Sequence, residues 1–587
     1  TLIDSVSTLS SPRSADLNSD GTKDIVLGAG TDSTYSNYGV VALDGVSQNT
    51  NSANKVDSKA MVVSAHPLAS EVGINILKKG GNAADATIAV QFALAVVYPS
   101  AGNIGGGGFF VYRTKDGYYS TLDFREKAPL MSTKDMYLDS SNNVVKDLSL
   151  YSHLAVGVPG TVDGMVNIHE KYGQLPWEEL VQPAIDLAAN GFALTRLEAD
   201  KLNRFNKTKG TVNKNSEYYK EHYSEGDSIS LPQLSKTLIL IRDQKRAGFY
   251  SGKTAKMLVK EMSLNGGKIT QQDLDSYQSV WRDPIISFYK GHKIISMSAP
   301  SSGGILLTQM LKMAEHFPLR DFGFHSLKSI HVMTEIEKLS FADRAKHLGD
   351  PDFYTIPEKS LIDSLYLLER SNIINMDSTL LSSDIYAGEF NLKESEETTH
   401  FSIVDEFGNA SSLTTTLNGS FGSGIIVEGA GFLLNNEMDD FSIQPGYPNM
   451  YGLIGGEANA VEPSKRMLSS MTPTILEKDG NLYMVLGTPG GSTIITAVFQ
   501  TIINVVDYDM SIEQAVNSPR FHHQWYPDEI KLEKDIAKDS NLIFQLKAMN
   551  HQLDFVSSMN RVDAVIIKRN KLFGGADKRG DDVVSSY

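Results

Sequence analysis

From Met61 to the C terminus the chain alternates short β-rich runs with stretches of helical period, a pattern that restricts the fold to sheets covered by helices. Residues 68–79 read as an amphipathic helix closed by Gly80-Gly81, and Asn82 caps a second, more apolar helix running to about Val97. That second helix carries Asp85 and Gln91 and stops before Pro99, too short and too polar for a membrane span, so it reads as buried. Four glycines, Gly105 to Gly108, lead into a strand over 109–113, and helical periods over 177–190 and 325–347 fill the middle. From Phe401 the period changes to two: 401–404 and 411–417 predict a hairpin about Asp405-Glu406-Phe407-Gly408-Asn409. A strand over 483–486, a Gly490-Gly491 turn and an apolar helix over 492–506 follow.

Composition sets the class. Of 587 residues, 41% are hydrophobic and 21% charged, as in globular proteins with a sizeable core. A net charge of -16 argues against nucleic acid or an anionic membrane as partner, since phosphates need a basic face. With no cysteine, disulfides and thiolate chemistry are excluded. The chain begins at Thr1 with neither methionine nor an apolar leader, as a mature exported protein would, so a periplasmic or secreted location is expected.

Residues 1–57 are rich in Ser, Asn, Thr and Gly and poor in core formers, which places a boundary near Ser58. Within them Asp16, Asn18, Asp20 and Asp24 space oxygen ligands around Gly21, the order hard cations prefer, so this extension is the expected seat of one calcium ion. The surrounding residues resemble one unit of the calcium-binding repeats of integrin-like propellers, although a single unit cannot close a propeller.

Thr398-Thr399-His400 stands between a charged run, Lys393-Glu394-Ser395-Glu396-Glu397, and the predicted hairpin. A Thr-Thr pair entering a strand is usually mere β-branched material. Here it is followed in order by Thr414-Thr415-Thr416-Leu417-Asn418, Leu433 to Phe441, Met467 to Pro473, Gly487 to Ser492 and Pro519 to Trp525. That series, with Leu122-Asp123-Phe124-Arg125-Glu126 upstream, resembles γ-glutamyltranspeptidases over roughly residues 59–587.

The resemblance implies an N-terminal nucleophile hydrolase, a four-layer αββα sandwich made as a precursor. Thr398 would cut the chain after Glu397, leaving a large subunit (58–397 with the extension) and a small one (398–587) associated as a heterodimer. A threonine hydroxyl needs a base, and the α-amine freed by cleavage, with an ordinary pKa of about 7.7–8.0, lies on the same residue. By the same resemblance Thr416 supports the nucleophile and Gly490 and Gly491 donate N–H groups to the oxyanion. Arg125 grips the substrate α-carboxylate with Asn418, Ser469 and Ser470, Glu437 and Asp440 hold its ammonium, and Tyr451 in the loop 445–456 covers the pocket.

The expected substrates are small γ-glutamyl compounds such as glutathione, with water, amino acids or peptides as acceptors, and catalysis is expected to need no cofactor. Gly105 to Gly108 and the pair His522-His523 are read as structural. Two alternatives compete: an acylase or poly-γ-glutamate enzyme on the same scaffold, and a non-enzymatic calcium-dependent adhesion protein.

Overall fold

A computed structural model describes the backbone of 13–15 and 24–26, and then residues 58–208, 216–385, 398–444, 447, 449, 450, 453 and 456–587. By contacts the chain divides into two compact units, 1–53 and 54–587. In the first, strands Arg13–Ala15 and Asp24–Val26 pair antiparallel, Arg13 against Val26. Asp16, Asn18 and Asp20 lie outside the described residues, and of Asp24 only the backbone is described.

Two sheets build the second unit. Their strands are β1 (Met61–Ser64), β2 (Gly107–Arg113), β3 (Tyr119–Asp123), β4 (Val280–Arg282), β5 (Ile285–Tyr289), β6 (His292–Ser296), β7 (Thr399–Val404), β8 (Ala410–Thr416), β9 (Thr474–Lys478), β10 (Asn481–Gly487), β11 (Asp563–Lys568), β12 (Lys571–Gly575) and β13 (Val583–Ser586). The seven-stranded sheet runs β13-β1-β7-β8-β2-β3-β4 and the six-stranded sheet β12-β11-β10-β9-β6-β5. Helices α1 (Pro67–Lys78), α2 (Ala83–Val97) and α3 (Thr161–Tyr172) cover the first sheet, and α4 (Trp177–Asn190) packs on α2. Helices α5 (Gly303–Ala314) and α7 (Thr493–Val506) cover the second, and α6 (Leu327–His347) packs on α5. The four layers are α, β, β, α, as expected.

The period-two pattern explains the stacking. In β1 and β2, Val62, Phe110 and Tyr112 face the helix layer, while Met61, Val63, Phe109 and Val111 face the other sheet, where they meet Ile295, Ile475, Val485 and Val565. Ile294, Leu476, Met484, Leu486 and Ile566 point from the second sheet into its own helices. Each sheet is thus buried on both faces, and three apolar layers follow one another through the molecule.

Local signals set the element ends. Asn82 accepts the Ala84 and Asp85 N–H groups while Asp85 accepts from the Asn82 N–H, a reciprocal cap that starts α2 and adds about 1 kcal/mol. All fifteen residues of α2 are buried. At the hairpin turn Asp405 accepts the N–H groups of Phe407 and Asn409, Gly408 takes φ +90°, and the same carboxylate accepts the Ala83 N–H at 2.8 Å. One side chain therefore closes the hairpin and docks it onto α2. The glycine run has a steric reason: a Cβ on Gly106 would lie 2.0 Å from the Thr416 carbonyl oxygen, and one on Gly108 2.3 Å from that of Thr414.

Strands from either side of Thr398 interleave. β1 lies between β13 and β7, and β8 pairs with β2 from Ala410↔Arg113 to Thr416↔Gly107. A cut before Thr398 leaves every one of these ladders intact. No helix among the described residues is long and apolar enough to cross a membrane.

Candidate active site

The hairpin delivers Thr398. β7 and β8 pair with Thr399 opposite Thr415, and the register continued by one residue sets Thr398 opposite Thr416, on one face of the pair. Thr398 is 5% exposed and lines a narrow cleft with Thr416, Asn418, Arg125, Glu437, Asp440, Ser469, Ser470 and Gly491. Thus eight of the residues expected around the nucleophile converge on it, although they come from five separate stretches of chain. Tyr451 lies outside the described residues.

Thr416 Oγ1 accepts the Asn418 N–H at 2.7 Å, a bond that Asn418 reaches in a left-handed conformation with φ +70°. The Asn418 side-chain amide donates to the Asn436 carbonyl at 3.0 Å and joins the end of β8 to the stretch bearing Glu437 and Asp440. Asn435 fixes that stretch from below, donating to the carbonyls of Gly105 and Gly157 at 2.8 Å each.

Arg125 is fully buried just beyond β3. It donates to Glu437, to Asp440 at 2.5 Å, and to the carbonyls of Met467 and Leu468, and it stands 3.6 Å from Glu126. The arginine and the two carboxylates expected to bind opposite ends of one substrate thus bind each other. The reason is electrostatic, because an unpaired charge at this depth would cost several kcal/mol. Burial opposes the arginine's charge, but Glu437, Asp440 and Glu126 more than offset it and raise its pKa above the ordinary value. Burial also pushes the Glu437 carboxyl well above the usual range and Glu126 up to about 7, against the pull of Arg125. Neither Glu126 oxygen has a hydrogen-bond partner among the described residues.

Three further residues shape the cleft without having been singled out in the sequence. Arg344, near the end of α6, lines it and donates to Ser302 Oγ at 3.0 Å and to Ser470 Oγ at 3.1 Å. Met471 and Ile494 supply an apolar wall. The signal for Arg344 was that α6 carries buried charges on all sides, Glu335, Glu337, Lys338 and Asp343 among them, so it has no solvent face.

The cleft lining contains no histidine or lysine among the described residues. His400 lies close in sequence, yet its ring is buried among Thr414, Ser402 and Gly487, and burial brings its pKa down to about 3. His522 and His523 turn apart, toward Thr496 and Asp528 respectively. Nearby, Asn449 donates to Asp440 at 3.2 Å and the Met450 N–H to Asp439 at 2.5 Å.

The family pattern described as Gamma-glutamyltranspeptidase matches residues 69–587. A glutathione hydrolase proenzyme of Escherichia coli (strain K12) is 43% identical over 535 residues, 90% of this chain and 92% of that protein. A crystal structure of Helicobacter pylori gamma-glutamyltranspeptidase is 44% identical, covering 55% of this chain and 94% of that chain with a TM-score of 0.55. The crystal structure of a cephalosporin acylase from Bacillus halodurans shares the fold, with a TM-score of 0.81 over 93% of this chain at 24% identity.

Proposed function

Since the chain belongs to the γ-glutamyltranspeptidase family and is an enzyme made as a proenzyme, we propose that Thr398 both cuts the precursor and carries the γ-glutamyl group. The observation that carries this is the convergence of Thr398, Thr416 and Gly491 with the buried Arg125 and Glu437 and with Asp440 in a single cleft. Thr398 Oγ attacks the Glu397 carbonyl carbon, and the C–N bond breaks as the acyl group moves to oxygen. Water then hydrolyses the ester, freeing the Glu397 carboxylate and the Thr398 amine. The two subunits remain one sandwich because both contribute strands to both sheets, interleaved in the seven-stranded one and paired through β9 and β6 in the other.

In turnover the amine takes the hydroxyl proton as Oγ attacks the γ-carbonyl of the donor. The oxyanion is met by the Gly490 and Gly491 N–H groups, and the proton passes to the departing amine as the C–N bond breaks. Water, or the amine of an amino acid or peptide, then attacks the Thr398 ester and releases glutamate or a new γ-glutamyl amide. The absence of histidine and lysine from the described lining supports the amine as base.

The donor is a small γ-glutamyl amide such as glutathione. Its α-carboxylate meets Arg125, Asn418, Ser469 and Ser470, and its α-ammonium meets Glu437 and Asp440. The site already holds both signs of charge at contact distance, which matches a zwitterion and disfavours a glutaryl group, whose lack of an ammonium would leave the two carboxylates facing a third. The loop 445–456, with Tyr451, covers the bound donor. The extension 1–57 binds calcium through Asp16, Asn18, Asp20 and Asp24 outside the catalytic unit, and the enzyme works in the periplasm or outside the cell.

Initial rates with γ-glutamyl and glutaryl anilides test the substrate reading. The γ-glutamyl compound is expected to have a kcat/KM at least 100-fold higher, on the order of 3 kcal/mol of discrimination. Equal values would transfer the site to the acylase class.

A further inference from the structure

The proposed oxyanion donors lie in a loop whose Pro489 and Gly490 carbonyls are both engaged. The Pro489 carbonyl accepts from Asn560 Nδ2 at 2.8 Å and from Thr488 Oγ1 at 2.8 Å. The Gly490 carbonyl accepts from Thr493 Oγ1 at 2.7 Å and from the Thr493 N–H at 3.1 Å. Thr488 Oγ1 in turn accepts the Arg561 N–H at 3.1 Å, so residues 560 and 561 grip this loop twice.

A trans peptide is planar, with its C=O and the following N–H pointing in opposite directions. Fixing the Pro489 carbonyl therefore aims the Gly490 N–H away from Asn560. Fixing the Gly490 carbonyl aims the Gly491 N–H away from Thr493. Among the described residues neither N–H meets an acceptor, and Gly491 lines the cleft with Thr398. Glycine is required on the gripped side: at φ +133° a Cβ on Gly490 would lie 2.0 Å from Asn560 Nδ2 and 2.9 Å from Thr493 Oγ1.

We infer that Asn560 and Thr493 are positioning residues, a carbonyl clamp that holds the two glycine N–H groups in the orientation the oxyanion needs. The inference rests on the role proposed above for Gly490 and Gly491 and extends it to side chains that touch neither substrate nor nucleophile. A preorganised donor acts on the transition state and not on donor binding, so a loosened clamp lowers kcat and spares KM. Asn560 is a device of this kind because its amide donates to a main-chain oxygen, a bond that an isosteric carboxylate reverses into repulsion.

The test compares processed wild-type enzyme with Asn560→Asp, Thr493→Val and Thr493→Ser, using a γ-glutamyl anilide. Melting temperature and two-chain processing serve as controls for folding. Asn560→Asp and Thr493→Val are expected to lower kcat about 10- to 100-fold with KM within about threefold, whereas Thr493→Ser, which keeps the hydroxyl donor, is expected to restore kcat to within about threefold of wild type. If Asn560→Asp fails to fold, the Val and Ser pair at Thr493 decides. A kcat within twofold of wild type in Thr493→Val, a loss confined to KM, or a Thr493→Ser as slow as Thr493→Val overturns the clamp. Those outcomes leave the nucleophile reading standing, which fails separately if Thr398→Ala keeps turnover.

Discussion

Fully buried Arg125 and part-buried Asp440 form an ion pair at 2.5 Å across 315 residues of sequence, one on each side of the proposed cleavage point. The proposed substrate subsite is therefore shared between the two proposed subunits and completed only when both halves of the precursor share one fold. Conversion of Arg125 to alanine would leave the fully buried Glu126 and Glu437 without their counter-charge, at a cost of about 3–5 kcal/mol, and so would mix stability with binding.

Arg125→Lys is the cleaner variant, because it retains the charge and removes the fork that grips a carboxylate through two bonds. It is expected to raise the KM of donors bearing a free α-carboxylate by about 30- to 1,000-fold, corresponding to roughly 2–4 kcal/mol, with two-chain processing retained. Steady-state kinetics checks this, and an unchanged KM removes Arg125 from the subsite.

Glu126 makes stability depend on pH. Burial raises its carboxyl to about 7, whereas in an unfolded chain a glutamate titrates at about 4.3. Between those values the folded protein keeps a proton that the unfolded chain has lost, so stability falls as pH rises through the window. Melting curves from pH 4.5 to 8 are expected to show a shallower decline for Glu126→Gln than for the wild type, with the variant the more stable at pH 8. Parallel curves would mean that Glu126 does not titrate there.

The extension should be dispensable up to a sharp limit. The Lys59 N–H donates to the Tyr587 carbonyl at 2.5 Å and β1 pairs with both β13 and β7, so the catalytic unit is tied in from residue 58 onward. Deletion of 1–57 is expected to leave γ-glutamyl transfer within about threefold of the full chain, whereas deletion through Ser64 removes β1 and abolishes processing. Loss of processing in the shorter deletion, in a protein that still melts cooperatively, would assign the extension to the catalytic unit.

Much of the fold was legible because its element boundaries are local. Asn82 caps α2 through neighbours two and three residues away, and Asp405 closes the hairpin through Phe407 and Asn409, so both appear in short windows of sequence. The first helix begins at Pro67, one residue before its expected start, and α6 begins at Leu327, two residues after. The site was legible only through its ordered motifs, since nothing in a sequence window brings Arg125 to Glu437.

What the sequence concealed depends on long-range geometry. Arg344 reaches the cleft from a helix without an exposed face, and Asn560 bonds a main-chain carbonyl that no side-chain pattern records. The mutual neutralisation of Arg125, Glu437 and Asp440 was equally hidden, because separate roles at two ends of a substrate do not announce that the residues touch.

Intact-mass measurement with N-terminal sequencing of purified wild type and Thr398→Ala decides whether Thr398 is the self-cleaving nucleophile. The wild type is predicted to give two polypeptides, the smaller beginning at Thr398, and Thr398→Ala a single uncut chain without γ-glutamyl transfer. Two chains from Thr398→Ala, divided at the same bond, would contradict that role.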